Sequence, residues 1–161
     1  MLRRKALPGW KEDDLGAERV KLSGATFGYS CDLKASRLVE DAAGLTILDP
    51  APLAGERRTY DAETRATAID LRYPRMVHSQ IEVDLPAGSV LRQGPGLAKR
   101  SESFGEFRVL TGQAGGRVIR TADLVLSQSR IPATSYAQLR AFFSAYVDEV
   151  TKKLAIGPPE R

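Results

Sequence analysis

Apolar and polar residues alternate through most of the chain up to residue 126, and this period of two predicts a series of short β-strands. The alternation is most regular over residues 77–85, where Val77, Ile81 and Val83 share one register and His78 lies in the other. Such a pattern is typical of a strand with one face on a core and one face in solvent. We therefore expect antiparallel strands with one buried face.

Glycine-rich breaks between the alternating segments predict turns. Gly44 and residues 115–116 each separate two such segments, as hairpin turns do. Residues 118–126 form the second arm of the later hairpin, and one register of this arm comprises Val118, Arg120, Ala122, Leu124 and Leu126. Residues 93–99 contain a glycine-proline-glycine sequence at positions 94–96, which predicts a loop.

Helical periodicity replaces the alternation over residues 132–154, which we predict to form an amphipathic helix. Pro132 suits the first helical turn, and Lys152 and Lys153 would complement the helix dipole in the last turn. Gly157 and the prolines after it cannot continue a helix. The apolar stripe carries aromatic rings that need a sheet to cover; its predicted packing face comprises Tyr136, Leu139, Phe142, Phe143, Tyr146 and Val150.

These elements predict a mainly β, α+β domain: an antiparallel, β-sandwich-like structure with one carboxy-terminal amphipathic helix packed on it. We expect residues 1–16 to be a flexible arm or linker because they show no sustained period. Residues 17–156 would form the single domain, and residues 157–161 a tail. A chain of 161 residues is long enough to bury a core without disulfides or metals.

Composition excludes few functions. The hydrophobic fraction is 42%, and no apolar segment approaches the length of a membrane-spanning helix. The formal net charge is +4, but the basic residues are interspersed with acidic ones, which favours a solvated surface over a nucleic-acid footprint. The amino terminus lacks the apolar region of a secretory signal. We expect no cofactor and no transmembrane segment.

Two residues are candidates for nucleophilic chemistry, because the chain contains one cysteine, Cys31, and one histidine, His78. A reactive thiolate needs an activating neighbour, and Cys31 lies in the apolar register of its predicted strand, so an inert buried thiol is favoured. His78 has no second ligand at metal-binding spacing. Glu82 and Asp84 lie on one face of a strand, as acid–base or calcium-binding carboxylates could, but a solvated polar face is favoured.

Several motifs occur in one order along the chain: Tyr73-Pro74, residues 81–88 ending in leucine-proline-alanine-glycine, Phe104-Gly105, and Ile131-Pro132 followed by an arginine-alanine-phenylalanine sequence in the helix. This order resembles the carboxy-terminal region of bacterial transglutaminase-like proteins, in which a papain-like core is flanked by β-rich domains of unknown function. The resemblance extends from about residue 38 to 154.

The resemblance implies a non-catalytic accessory or interaction domain, because the family's Cys-His-Asp triad lies in the core upstream of this region. It also implies a protein partner, a transglutaminase-like core in the same chain or in another. Export to the bacterial periplasm or envelope would follow if the chain is part of a larger exported protein; a cytoplasmic stand-alone relative is the alternative. Two other functions stay open: a small thiol hydrolase using Cys31 and His78, and a weak binder of anionic surfaces or nucleic acid.

Overall fold

The structure is a computed structural model that describes residues 15–23, 26–33, 39–42, 44–50, 59–94 and 96–159. These residues form strands and one α-helix, α1 (Tyr136–Thr151), which follows a short 3-10 turn at Ala133–Ser135. The strands are β1 (Leu15–Ser23), β2 (Thr26–Leu33), β3 (Val39–Ala42), β4 (Leu45–Leu48), β5 (Ile69–Asp70), β6 (Arg75–Asp84), β7 (Val90–Gln93), β8 (Gly96–Glu102), β9 (Gly105–Ala114), β10 (Arg117–Leu126), β11 (Arg130–Ile131) and β12 (Leu154–Gly157).

The centre of the fold is an antiparallel sheet of four long strands in the order β6-β10-β9-β8, which we call the long sheet. β9 and β10 form the predicted hairpin, and both glycines of its turn, Gly115 and Gly116, have positive φ angles. Alternate residues of β10 are buried, in the register that the sequence predicts. The long sheet therefore has an inner face on the core and an outer face in solvent.

Helix α1 covers the inner face of the long sheet. Its six buried residues follow the helical period and lie on one side of the helix: Tyr136, Leu139, Phe142, Phe143, Tyr146 and Val150. The Phe142 ring lies 5.4 Å from that of Phe104 and 5.2 Å from that of Phe107, both in edge-on geometry. Aromatic rings prefer this geometry to direct stacking. An aromatic cluster thus joins the helix to β9.

The first residue of β9, Gly105, lies where the neighbouring strand leaves no room for a side chain. A Cβ atom on Gly105 would collide with the carbonyl oxygen of Val125 in β10 and with Leu126. The two strands pair directly at this point, with Gly105 opposite Leu126. The phenylalanine-glycine motif of the sequence thus places a buried ring and a close backbone approach at neighbouring positions.

A second antiparallel sheet, which we call the short sheet, has the order β3-β4-β12-β7. Gly44, with a φ angle of 78°, forms the predicted turn between β3 and β4. Leu48, Leu154 and Ile156 of this sheet pack on Val118 of β10 in a second apolar cluster. The short sheet is thereby attached to one end of the long sheet.

The predicted carboxy-terminal end of the helix is wrong. α1 ends at Thr151, and Lys152 adopts an extended conformation with a ψ angle of 123°. Leu154, predicted on the helical stripe, instead begins β12, a strand buried along its whole length between β4 and β7. In the sequence, a strand buried on both faces appears as a short continuous apolar segment. Periodicity alone cannot distinguish such a segment from the last turn of an amphipathic helix.

Two further predictions differ from the structure. Residues 96–102 form β8 at the edge of the long sheet, although the predicted loop of residues 93–99 includes the first four of them. The sequence also predicts a strand over residues 66–73, ending before Pro74, but the structure has only the short β5 there, which pairs with β11 just before the helix. Alternation over residues 18–33, with a turn at Ser23-Gly24, also predicts two short antiparallel strands, and these are present as β1 and β2, with Ser23 opposite Thr26.

The fold class is the predicted one, a mainly β antiparallel domain with a carboxy-terminal helix packed on it. The helix, rather than another sheet, covers the inner face of the long sheet. β1 begins at Leu15, within the predicted amino-terminal arm, whose residues 1–14 lie outside the described residues. The division into arm, domain and tail stays a prediction.

Candidate interaction surface

The outer face of the long sheet places four polar side chains side by side across four strands. The pairing register sets His78 of β6 opposite Asp123 of β10, Asp123 opposite Arg108 of β9, and Arg108 opposite Lys99 of β8. Directly opposite residues of an antiparallel pair lie on the same face of the sheet. We call this row of His78, Asp123, Arg108 and Lys99 the central rung.

His78 and Asp123 form a hydrogen-bonded pair within the central rung. The Nδ1 atom of His78 lies 2.6 Å from Oδ1 of Asp123, and both side chains are largely exposed, by 56% and 42%. A carboxylate that orients an imidazole is part of the arrangement used in nucleophilic catalysis, where a nucleophile must lie on the other side of the ring. Exposed pairs of this kind contribute little to stability.

A shallow depression of about 520 Å³ lies over the central rung. Its lining includes Lys99, Arg108 and Asp123 of the rung, together with Glu106 and Val125 from the adjacent row. Charges of both signs thus surround an open, partly apolar floor. Such a surface suits contact with another protein better than the enclosure of a small molecule, which concave and mainly apolar pockets provide.

The carboxylates of Glu82 and Asp84, considered as acid–base or calcium-binding groups, are held by an arginine. Arg117 places its Nε 2.6 Å from Asp84 Oδ1 and its Nη1 3.4 Å from Glu82 Oε2. Gln80 donates a further hydrogen bond to Glu82 at 2.6 Å. The two carboxylates are therefore part of an ion-pair network at the end of the hairpin.

The two candidate reactive residues lie in different sheets. Cys31 is in β2, where its backbone pairs with Glu18 of β1. His78 is in β6 of the long sheet and bonds to Asp123. The structure thus supplies a carboxylate partner for His78 that the sequence did not reveal, since these residues are 45 positions apart. The structure describes the backbone of Cys31 but not its side chain, so the predicted burial of the thiol stays a prediction.

Arg120 is a charged residue of structural importance that sequence reasoning missed. It lies in the inward register of β10 and is 4% exposed. Its Nε donates to Thr111 Oγ1 at 2.8 Å, and its Nη1 donates to the carbonyl oxygens of Lys152 at 2.9 Å and Val150 at 3.4 Å. The last carbonyls of a helix have no partners within it. Arg120 therefore caps the carboxyl end of α1 from beneath.

The electrostatic cost of enclosing Arg120 is visible in its pKa. Burial lowers the pKa of the guanidinium, and the nearby carboxylate of Glu149 acts in the opposite direction. The group keeps its charge at neutral pH, since arginine is not deprotonated in proteins. The sequence contained a signal for this role, because Arg120 is a basic residue in the same alternating register as the apolar Val118, Ala122 and Leu124.

Among the described residues, no cluster of three or more histidine, cysteine, aspartate or glutamate side chains is arranged as metal ligands. No helix within that part of the chain has the length and apolar character needed to cross a membrane.

Comparisons with known proteins concern the same region. The sequence model of DUF3858, described as a domain of unknown function with a solved structure, matches residues 44–156. A crystal structure from Parabacteroides distasonis ATCC 8503, named a putative protease, shares the fold with a TM-score of 0.59 at 14% identity. The match covers 71% of this chain but 23% of that protein, so the chain spans less than a quarter of its length. No curated protein matches the chain.

Proposed function

The chain belongs to the DUF3858 family, and from this premise we propose that it is a non-catalytic accessory domain that binds and supports a transglutaminase-like, papain-like catalytic core. The core would be carried in the same polypeptide or supplied by a partner. The observation that carries the proposal is the partial match to the Parabacteroides protein, in which this fold accounts for 23% of a chain named a putative protease. The rest of that chain is large enough to contain a separate catalytic domain.

The sequence motifs add support because they lie within the family match. The leucine-proline-alanine-glycine motif follows β6, Phe104-Gly105 begins the hairpin of β9 and β10, and Ile131-Pro132 leads into α1. Each motif thus coincides with a structural joint of the domain. Their order resembles the region that follows a papain-like core in transglutaminase-like proteins. This resemblance is the reason for naming that class of core, and export to the bacterial envelope belongs to the same proposal.

The outer face of the long sheet is consistent with an interaction role. It combines exposed apolar side chains, Leu97 at 52% and Leu110 at 40%, with the mixed charges of the central rung. Protein interfaces combine apolar contact with polar groups that fix orientation. A surface of this composition is suited to a protein partner.

The proposal is tested by purifying the affinity-tagged protein from the bacterium that produces it and identifying associated polypeptide segments by mass spectrometry. We expect a papain-like core bearing a Cys-His-Asp triad, either within the tagged polypeptide or in stoichiometric association with it. A monomer that binds no such core and hydrolyses amide or ester substrates on its own would overturn the proposal.

The thiol-hydrolase alternative is examined on the same preparation. Iodoacetamide should modify Cys31 at neutral pH no faster than a free thiol of ordinary reactivity. Any hydrolase activity should be equal in the protein and in the Cys31→Ser variant. Rapid labelling of Cys31, together with activity that is lost in Cys31→Ser and in His78→Gln, would favour the enzyme over the accessory domain.

A further inference from the structure

Strand β8, one of the two edges of the long sheet, has no role in the proposed function so far. β8 is the last strand in the order β6-β10-β9-β8, and among the described strands only β9 pairs with it. The outer edge of such a strand presents backbone N–H and C=O groups that can pair with another strand. Addition of an extended segment to an exposed edge is an established mode of peptide recognition.

The side chains next to this edge form two adjacent pairs on the outer face. Leu97 of β8 lies opposite Leu110 of β9, and Lys99 lies opposite Arg108. Like charges directly opposite each other on a sheet are destabilising. Neither Lys99 nor Arg108 forms an ion pair with another described residue. Asp123, which lies beside Arg108, is bonded to His78 instead. This end of the central rung therefore has two cationic side chains that form no ion pair within the described part of the chain, beside exposed leucines.

The other side of the β8 edge opens into a groove between the strand and α1. The groove has a volume of about 510 Å³, and its lining includes Ala98, Phe107 and Ala145, with Asp148 and Glu149 on the helix side. Arg100 also lines it, forms an ion pair with Glu102 and donates a hydrogen bond to the carbonyl oxygen of Ala141 on α1 at 3.2 Å. Side chains of an added strand would alternate between the outer face and this groove. The groove would accept apolar side chains beside Ala98, Phe107 and Ala145, and a basic side chain beside Asp148 and Glu149, because the charge of Arg100 is already engaged by Glu102.

We propose that β8 is the docking edge for an extended segment of the partner protein, which pairs with it as an additional strand of the long sheet. An acidic side chain of the segment would lie on Lys99 and Arg108, and an apolar side chain two positions away would lie on Leu97 and Leu110. The inference rests on the proposed interaction role and adds the surface and the chemistry of the segment. A nucleic acid is a poorer fit, because Asp148 and Glu149 line the groove and Arg100 within it is already paired with Glu102.

The first test uses a short synthetic peptide in which glutamate and leucine are two positions apart on one face and valine and lysine occupy the other. Binding to the ¹⁵N-labelled protein should shift the amide resonances of β8 most. Lys99→Glu should weaken binding roughly 10-fold or more, and a peptide with lysine in place of glutamate should restore it. Arg140→Glu, at an exposed helix position, is the matched control and should leave binding unchanged.

Backbone pairing is tested with two N-methylated peptides, each methylated at alternate residues. One set should abolish binding and the other should preserve it, because alternate amides of an added strand point toward and away from the edge. Equal binding of both methylated peptides, or shifts that avoid β8, would overturn the inference. Tighter binding of a single-stranded oligonucleotide, weakened steeply by salt, would also overturn it in favour of an anionic ligand.

The second test uses the association with the papain-like core. The double variant Leu97→Glu/Lys99→Glu should fold, since both side chains are exposed, but it should recover less core than the unmodified protein. Equal recovery of the core would refute the docking edge and leave the proposed function intact. Absence of the core from both preparations would refute the proposed function, and the peptide experiment would still decide the role of β8.

Discussion

At the scale of single residues, Arg120 shows how one buried charge can join three parts of the fold. It lies on β10, bonds to Thr111 on β9, and donates to carbonyl oxygens at the end of α1 and just after it. A buried charge is tolerated when its hydrogen-bonding groups are satisfied. Here the negative end of the helix dipole supplies suitable acceptors. Arg120 therefore specifies where the helix ends.

We predict that Arg120→Met lowers the free energy of unfolding by about 2–3 kcal/mol, because the Thr111 hydroxyl and two carbonyl groups lose a charged donor in a buried site. Urea denaturation followed by circular dichroism measures the change. Arg117→Met is the matched control on the same strand. Its partners Asp84 and Glu82 are solvent-accessible, so its effect should stay below about 1 kcal/mol. An equally small effect of both changes would contradict the capping role.

At the scale of elements, α1 is held by its aromatic face rather than by a side-chain cap at its amino end. Neither Ser135 nor Pro132 makes a side-chain capping hydrogen bond at its amino end. Phe143 is fully buried, and its ring lies 5.3 Å from that of Tyr60 and 5.5 Å from that of Phe142. Tertiary packing of an amphipathic face is the usual source of helix stability in proteins.

Phe143→Ala should therefore destabilise the protein by about 3–5 kcal/mol, through lost burial and the cavity left in the aromatic cluster. Thermal and urea denaturation both provide the measurement. Ser144→Ala changes the neighbouring, exposed position and should alter stability by no more than about 0.5 kcal/mol. A loss below about 1 kcal/mol for Phe143→Ala would mean that this ring is not part of the core.

At the scale of the whole molecule, the chain after the helix completes the second sheet. β12 pairs with β4 on one side and β7 on the other, so it is central although it comes last in the sequence. Ile156 is 4% exposed and belongs to the apolar cluster that attaches the short sheet to Val118 of the long sheet. Removal of this contact should affect both sheets.

Ile156→Ala should lower the free energy of unfolding by about 2–5 kcal/mol, the range for truncating a buried isoleucine. Hydrogen exchange should also show weaker protection in β4 and β7, its neighbours in the short sheet. Ile119→Ala is the matched control, because Ile119 is only partly buried in the solvent-facing register of β10. An Ile156→Ala effect as small as that of Ile119→Ala would show that β12 is peripheral.

The sequence predicted individual strands better than it predicted their ends or their partners. Alternation identified β6 and β10, since it directly reflects one face in solvent and one on the core. For the first part of β8 the sequence predicts a loop, because glycine and proline precede it and because an edge strand lacks a strong apolar register. Of the candidate surface, the sequence predicts only the position of His78, which lies in the polar register of its strand and is exposed in the structure.

The sequence by itself determined the antiparallel strand pattern, the hairpin at residues 115–116 and the buried face of the helix, because each depends on periodicity within a short segment. Tertiary structure alone decided the pairing of His78 with Asp123, the rung that brings Arg108 beside Lys99, and the acceptors of Arg120. These contacts join residues on different strands and the helix. Their geometry depends on strand order and register, which no local pattern contains. The same reason explains why Leu154 begins a central strand rather than ending the helix.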